Sequence, residues 1–220
     1  MALHRAARTV VAGLTGGVGA GKSSAERIFR RWGVPTADAD RWAHEILASD
    51  TVAQRRIAAY FRDRFGLEVR RADGTIDRAA VASRVFKDVE ALRFVEAIVH
   101  PRVKRRAAAW CAMQRHRGVP LAVLVAPLLF ESGMDARLDC VVALAVPAAE
   151  RRRRLRVSRG WTGREALARM RSQLTDAARA RRADYVVGNA GTPAQLAAAL
   201  RMLRDKLRLR AARGAGKQHQ

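Results

Sequence analysis

Short apolar runs alternate with segments of helical periodicity along most of this chain. Continuous apolar runs of this length are typical of strands buried in a sheet. They predict strands over 9–14, 34–37, 121–125, 140–146 and 185–187. Apolar positions three and four residues apart predict helices over 25–32, 41–47, 51–64, 78–86, 88–116 with a break at Pro101, 148–158, 163–182 and 193–209. This alternation predicts an α/β fold with a mostly parallel sheet.

The spacing of the predicted strands is uneven. About 80 residues separate the second strand from the third, which is far more than one crossover helix needs. A polar stretch over 66–77 interrupts the helical periodicity and predicts a turn or hairpin. An insertion after the second strand would overhang the carboxyl ends of the strands, where open α/β folds bind ligands. The expected parts are a core over 1–65 and 117–210, a helical insertion over 66–116 and a disordered tail over 211–220.

A glycine-rich segment follows the first predicted strand. Gly16 to Ser23 read Gly-Gly-Val-Gly-Ala-Gly-Lys-Ser and fit the Walker A pattern G-x-x-x-x-G-K-[ST]. In this pattern, backbone N–H groups surround the phosphates of a nucleoside triphosphate, the lysine reaches the β- and γ-phosphates, and the hydroxyl binds Mg²⁺. We therefore expect a nucleoside triphosphate here, with Ser23 as metal ligand. The residues expected to contact the phosphates are Gly17, Val18, Gly19, Ala20, Gly21, Lys22, Ser23 and Ser24.

Two carboxylates follow the second predicted strand. Asp38 and Asp40 lie where this strand ends, which in an open α/β topology is next to the phosphate loop. Such carboxylates can orient or deprotonate an acceptor hydroxyl group, or hold Mg²⁺. The alternative is that Asp40 caps the helix that begins near Arg41, and one residue can do both.

The densest basic run covers 151–159 and precedes a turn flanked by glycines. A charge run of this kind is most often the solvated face of a helix. Before such a turn, it is also typical of a lid that closes arginine side chains over transferring phosphates. We expect a lid over 154–165, with Arg154 and Arg159 as its phosphate-contacting residues.

The third predicted strand ends at Ala126, where a Walker B acid would be expected. Motor-type ATPases use a strand-terminal aspartate there to support Mg²⁺. The alanine favours a small-molecule kinase over a translocase, and it leaves the second protein ligand of Mg²⁺ open.

The chain is strongly basic. Its 220 residues include 43 Lys and Arg against 20 Asp and Glu, which gives a net charge of +23. Three explanations stay open: arginine usage that reflects genomic base composition, arginines for small phosphate ligands, and nucleic-acid binding.

Cys111 and Cys140 lack metal-ligand spacing and indicate a reducing compartment. No apolar run reaches the roughly 18 residues that span a bilayer. We expect a monomeric, cytoplasmic protein with a small-molecule substrate and no specific nucleic acid or membrane partner.

These motifs, taken in order, resemble those of the dephospho-CoA kinase family. The resemblance runs from about 10 to 203. It is highly specific because the whole set occurs in order. The matching residues are Thr15 to Ser24, Asp38-Ala39-Asp40, Gly74-Thr75-Ile76-Asp77-Arg78, Val85-Phe86, Ile98-Val99-His100-Pro101, Pro127-Leu128-Leu129-Phe130-Glu131, Arg154 to Gly160, Gln173, Arg179, Ala183-Asp184 and Asn189-Ala190-Gly191.

The resemblance implies transfer of the γ-phosphoryl group of ATP to the ribose 3′-hydroxyl of dephospho-CoA, which gives CoA and ADP. It implies a three-layer α/β sandwich of the P-loop NTP hydrolase type, with a parallel sheet, a helical substrate-binding insertion and a lid. By the match, Asp40 takes the hydroxyl proton, and Asp38 supports it or binds Mg²⁺ through water. The other implied roles are stabilisation of the transferred charge by Arg154 and Arg159, acceptor binding by Arg78, His100 and Leu128, and an adenine contact from Asn189. Lys22, which the Walker A pattern places at the β- and γ-phosphates, is the further residue expected to be catalytic.

Three residues depart from common choices of the family, namely Ala20, Ser24 and Ala126. Two other functions stay open. One is a related P-loop nucleoside or nucleotide kinase. The other is an ATP-dependent nucleic-acid-binding protein, against which the missing Walker B acid and the lack of an aromatic stacking stripe both count.

Overall fold

The computed structural model describes residues 8–85, 87–159 and 174–214, without the side chains of 157–159 and 214. The chain forms two compact units. The first consists of Met1–Asp38 and Ala109–Gln220, and the second of Ala39–Ala108. Within the described ranges, no helix is long and apolar enough to cross a membrane.

The first unit is built on a parallel sheet of five strands. The strands are β1 Val10–Gly16, β2 Thr36–Asp38, β3 Leu121–Val125, β4 Cys140–Ala145 and β5 Tyr185–Gly188. Their order across the sheet is β2-β3-β1-β4-β5, and every neighbouring pair is parallel. This confirms the α/β prediction with a parallel sheet.

Eight helices lie in the described ranges. They are α1 Lys22–Arg31, α2 Ala39–Ser49, α3 Thr51–Phe65, α4 Arg78–Val85, α5 Val89–His116, α6 Ala148–Arg159, α7 Asp176–Arg182 and α8 Pro193–Gly214. A short 3₁₀ turn covers Asp135–Arg137. Of the predicted helix over 163–182, residues 163–173 lie outside the described residues. The prediction is wrong at 174–175, because these two residues are not helical and Thr175 is the N-cap of α7, its side chain accepting from the N–H of Ala178.

The core of the first unit lies where α1 and α8 pack on the sheet. Strands β1 and β3 are buried along their whole length, as continuous apolar runs require. Phe29 of α1 and Leu200 and Leu207 of α8 are buried in the same cluster as the strands. Burying each such side chain contributes about 1.5–3 kcal/mol. This packing holds α1 against the sheet, next to the end of β1.

The strand register brings the carboxyl ends of the strands to one edge of the sheet. Asp38 at the end of β2 pairs with Val125, and Val125 pairs with Leu14 of β1. On the other side, Gly16 pairs with Leu144 of β4. Ligands of open α/β folds bind at this edge.

The second unit contains α2, α3, α4 and α5 as far as Ala108. A turn links α3 to α4, with an isolated antiparallel bridge between Arg70 and Ile76, which confirms the predicted turn or hairpin. Tyr60 of α3 stacks on Phe94 of α5, with ring centroids 3.9 Å apart. Such aromatic pairs add to the burial of apolar area.

The second unit begins and ends earlier than the insertion expected over 66–116. Asp50 caps α3 by accepting from the N–H of Ala53, and its other oxygen accepts from Arg102 of α5 at 2.7 Å. Glu45 of α2 pairs with Arg106. These contacts join 39–65 to α5, and a periodicity break at 66 could not show them. The division into a nucleotide-binding core and a substrate insertion stays a prediction.

The predicted break at Pro101 is wrong, because α5 continues through it. An interior proline removes one helical hydrogen bond and costs about 3 kcal/mol. Ile98 and Val99 before it and Val103 and Ala107 after it are all buried. Their packing on both sides of the proline outweighs that cost.

The last helix is longer than expected. It runs to Gly214, with Ala211 only 1% exposed, so 211–214 are helical rather than part of a disordered tail. Burial of Leu207 and Ala211 on one face extends the helix beyond 209. Residues 215–220 lie outside the described residues.

Candidate nucleotide-binding site

The phosphate loop, residues 16–23, links β1 to α1 at the carboxyl edge of the sheet. Gly19 and Gly21 have φ angles of 79° and 92°, which a side chain would strain. The N–H of Ala20 donates to the oxygen of Gly17 at 3.0 Å and closes the loop on itself. Helix α1 begins at Lys22, so its first N–H groups lie at the loop. The predicted order of strand, glycine turn and helix is confirmed. The N-terminus of a helix in this position is suited to bind an anion.

Lys22 folds back over the start of the loop. Its Nζ donates to the oxygens of Gly16 at 2.8 Å and Gly17 at 3.2 Å. The ammonium group is thereby held over the loop backbone. Ser23 and Ser24 are exposed in the first turn of α1.

Helix α6 packs directly against the phosphate loop through three positions. A Cβ on Gly17 would collide with Nη1 of Arg151. A Cβ on Gly19 would lie 3.1 Å from Leu155 Cγ. The glycines therefore allow α6 to approach the loop closely, in addition to giving the loop backbone its conformational freedom.

Arg154 is the third contact of α6 with the loop. Its Nη1 lies 4.0 Å from the position of a Cβ on Gly21. Its Nε donates to Glu150 at 2.8 Å, and Arg153 donates to the same carboxylate. Hydrogen bonds from Arg153 and Arg154 lower the pKa of Glu150 to about 2. The ionised Glu150 thus orients Arg154 beside the loop at neutral pH.

Asn189 follows β5 and reaches the same loop. Its side chain is buried, and its Nδ2 donates to the oxygen of Ala20 at 2.8 Å. Its own N–H donates to the oxygen of Ala145 at the end of β4. A Cβ on Gly21 would collide with Nδ2. The structure therefore brings Asn189 to the loop backbone, whereas the family resemblance implied an adenine contact.

Asp38 and Leu128 also lie at the carboxyl edge of the first unit. Both are half-buried, Asp38 as the last residue of β2 and Leu128 in the turn after β3. The hydroxyl of Thr15 donates to the oxygen of Pro127 at 3.2 Å and ties this turn to β1.

Three predicted site residues belong to the second unit. Asp40 is exposed in the first turn of α2, which begins at Ala39. Asp40 therefore lies in the first turn of the helix and is not its N-cap. A carboxylate in the first turn interacts favourably with the positive end of the helix dipole. Arg78 is exposed at the start of α4, and His100 is half-buried on α5 just before Pro101.

Part of the predicted lid cannot be placed. Arg159 is the last residue of α6, but its side chain lies outside the described residues, as do 160–165. Among the described residues, no group of three or more His, Cys, Asp or Glu could hold a metal ion. Ala126 is buried at the end of β3, so no acid stands there.

Sequence reasoning missed two carboxylates that hold the sheet together. Asp139 accepts from the N–H of Val11 at 2.8 Å and from Arg8 and Arg115 at 3.0 Å. Asp184, seen only as part of a family motif, accepts from the N–H of Val141 at 2.7 Å. Nothing in their sequence surroundings distinguishes them, because their partners come from distant strands.

Comparison with known proteins finds relatives that match most of the chain. The dephospho-CoA kinase family model matches residues 10–195. A dephospho-CoA kinase of Anaeromyxobacter dehalogenans (strain 2CP-C) is 43% identical over 205 residues, which is 93% of this chain and 94% of that protein. A dephospho-CoA kinase of Geobacter sulfurreducens is 38% identical over 186 residues, 84% of this chain and 92% of that protein.

Two solved structures are similar to this chain in fold. TT1252 from Thermus thermophilus is 34% identical with a TM-score of 0.72, covering 91% of this chain and 98% of that one. For the fold alone, dephospho-CoA kinase from Campylobacter jejuni is similar, at 24% identity and a TM-score of 0.67 over 94% of this chain and 98% of that one. The chain belongs to the dephospho-CoA kinase family.

Proposed function

We propose that this chain transfers the γ-phosphoryl group of ATP to the ribose 3′-hydroxyl of dephospho-CoA, which yields CoA and ADP. The observation that carries the proposal is the phosphate loop, with Lys22 held over Gly16 and Gly17 and α6 packed against it. Membership of the family supplies the acceptor. A loop of this kind binds the triphosphate through backbone N–H groups at a helix N-terminus.

In this proposal the first unit binds and polarises the nucleotide. Lys22 interacts with the β- and γ-phosphates, and Arg154 stabilises the charge that develops on the transferring group. Arg159, by the family match, shares that role. Ser23 would hold Mg²⁺, for which its hydroxyl in the exposed first turn of α1 is suited. When bound, Mg²⁺ neutralises charge on the phosphate oxygens.

The acceptor is activated by a carboxylate. Asp40 takes the proton of the ribose 3′-hydroxyl while the ribose 3′-oxygen forms a bond to the γ-phosphorus. The bond between the γ-phosphorus and the β–γ bridging oxygen breaks, and ADP leaves. Asp38 supports Asp40 or binds Mg²⁺ through water. We assign Arg78, His100 and Leu128 to acceptor binding, on the match of their motifs alone.

The test is an acceptor panel. ADP formation is measured with ATP, Mg²⁺ and, in separate reactions, dephospho-CoA, adenosine, AMP or no acceptor. Among these reactions, we expect rapid ADP formation only in the one that contains dephospho-CoA. Equal or faster use of AMP or adenosine would replace this proposal by a nucleotide or nucleoside kinase. A further reaction with DNA in place of the acceptor, at physiological salt, tests the nucleic-acid alternative raised by the net charge of +23.

We further infer a reducing, cytoplasmic compartment. Cys111 and Cys140 are both free and buried. Burial raises the pKa of Cys140 to about 12, so its thiol stays protonated and unreactive. A monomeric state stays a prediction, which light scattering of the purified protein checks.

A further inference from the structure

Arg151 lies on α6 with its guanidinium over Gly17 of the phosphate loop. The residue is only 7% exposed. A Cβ on Gly17 would collide with Nη1 and stand 3.2 Å from Cζ. Since arginine is almost never fully buried unless it is paired, a buried guanidinium against a phosphate loop calls for a specific reason.

The partner of Arg151 is Asp176, the first residue of α7. Nη1 donates to Oδ1 at 3.1 Å, and Nη2 lies 2.9 Å from Oδ2, so the pair is bidentate. Arg151 and Asp176 are 25 residues apart along the chain. The ion pair therefore joins two separate helices at a point directly above Gly17.

A second arginine contacts the same carboxylate. Arg179 is 1% exposed, and its Nη1 donates to Oδ1 of Asp176 at 3.1 Å. Its Nη2 lies 3.8 Å from Oε1 of Glu131, in the segment after β3. Two cations and two anions thus form a chain of contacts from Glu131 to Gly17, and their charges balance.

We propose that Arg151 is a positioning residue of the phosphate loop. Held in place by Asp176, it fixes the backbone at Gly17 in the conformation that binds phosphates. A loop that is already ordered binds more tightly, because the entropy of ordering it is not lost on binding. The proposal needs only the nucleotide-binding half of the proposed function and does not depend on the identity of the acceptor.

The test compares Arg151→Gln with Arg152→Gln, the same change at the exposed neighbour in the same helix. Isothermal titration calorimetry measures the Kd for ATP with Mg²⁺ and without acceptor. We expect Arg151→Gln to raise this Kd about tenfold, as loss of a charged hydrogen-bonded pair does. Arg152→Gln should leave it within about twofold. The KM for dephospho-CoA should not change in either variant.

Asp176→Asn and the double variant complete the cycle. If the two side chains act as one unit, Asp176→Asn raises the Kd for ATP by a factor similar to that of Arg151→Gln. The Kd of the double variant is then no higher than that of the single variant that binds ATP more weakly. A merely structural pair would lower the melting temperature without changing the ATP Kd. Additive effects of the two substitutions would also contradict the proposal.

A folded Arg151→Gln protein that binds ATP as the wild type does overturns the inference directly. If that variant does not fold, Arg151→Lys keeps the charge but loses the bidentate geometry, and wild-type ATP affinity in this variant overturns the inference instead. Wild-type protein that binds ATP but does not phosphorylate dephospho-CoA refutes only the acceptor assignment. Wild-type protein that fails to bind ATP refutes both.

Discussion

The side-chain Nδ2 of Asn189 donates to the main-chain oxygen of Ala20 at 2.8 Å, across 169 positions of sequence. This bond ties the end of β5 to the middle of the phosphate loop. It lies in a buried setting, where an amide group left without a partner costs about 1–3 kcal/mol. Asn189 therefore supports the loop itself.

Asn189→Ala should loosen the phosphate loop. We expect the Kd for ATP and the Kd for inorganic tripolyphosphate to rise by the same factor, about five- to tenfold. Calorimetric titration with both ligands measures this. Gln195→Ala removes an exposed side-chain amide outside the loop and should change neither. A defect for ATP alone would instead support the adenine contact that the family resemblance implied.

Lys22→Ala should abolish most phosphoryl transfer. Nζ is the cation that the loop holds over the oxygens of Gly16 and Gly17, and charge stabilisation of this kind is worth about 100- to 1,000-fold in kcat. Steady-state ADP release measures the loss. Lys87→Ala, at an exposed position, is the matched control. Retention of half the wild-type kcat by Lys22→Ala would remove the lysine from the mechanism.

Asp40→Asn tests the proposed base. A positioned general base contributes about 100- to 10,000-fold, so kcat should fall by that order while the Kd for ATP changes little. Asp63→Asn, at a carboxylate whose side chain is 73% exposed in the same unit, controls for loss of one negative charge. If kcat of the Asp40→Asn enzyme equals that of the control, another group takes the proton.

Asp139 makes the stability of the first unit depend on acid pH. Burial raises its pKa, but the hydrogen bonds from the Val11 N–H, Arg115 and Arg8 outweigh burial, so the pKa lies below 3.8. A carboxyl group whose folded-state pKa is depressed stabilises the fold fully above its unfolded-state value. That stabilisation is lost as the pH falls through the folded-state value.

The free energy of unfolding should therefore fall below about pH 4 in the wild type. Asp139→Asn should be less stable at neutral pH by about 1–3 kcal/mol and lose less on acidification. Urea unfolding at several pH values measures both quantities. Asp205→Asn, at an exposed carboxylate, is the control. Parallel pH curves for wild type and Asp139→Asn would show that another carboxylate dominates.

The local chemistry of the loop was accessible from the sequence because it depends on residues next to one another. Gly19, Gly21 and Lys22 have the spacing that the backbone turn and the phosphate contact require. The strands were accessible for a similar reason, since a strand buried on both faces is a continuous apolar run. The parallel sheet then followed from alternation with helices.

Long-range polar contacts were not accessible in this way. Arg151 stands in a run of four consecutive arginines, and only the fold distinguishes it from the exposed Arg152. Its partner Asp176 lies 25 residues farther on. Pro101 failed as a helix breaker because the local penalty was visible in the sequence, whereas the compensating burial of Ile98 and Val103 was not.

Identification of the product tests directly whether this chain phosphorylates the ribose 3′-hydroxyl of dephospho-CoA. The protein is incubated with dephospho-CoA, Mg²⁺ and ATP labelled in the γ-phosphate, and the product is analysed by mass spectrometry and phosphorus NMR. We expect CoA that carries the labelled phosphate on the ribose 3′-oxygen, formed in equal amount with ADP. Label released only as inorganic phosphate, or attached to another oxygen of the acceptor, would contradict this expectation.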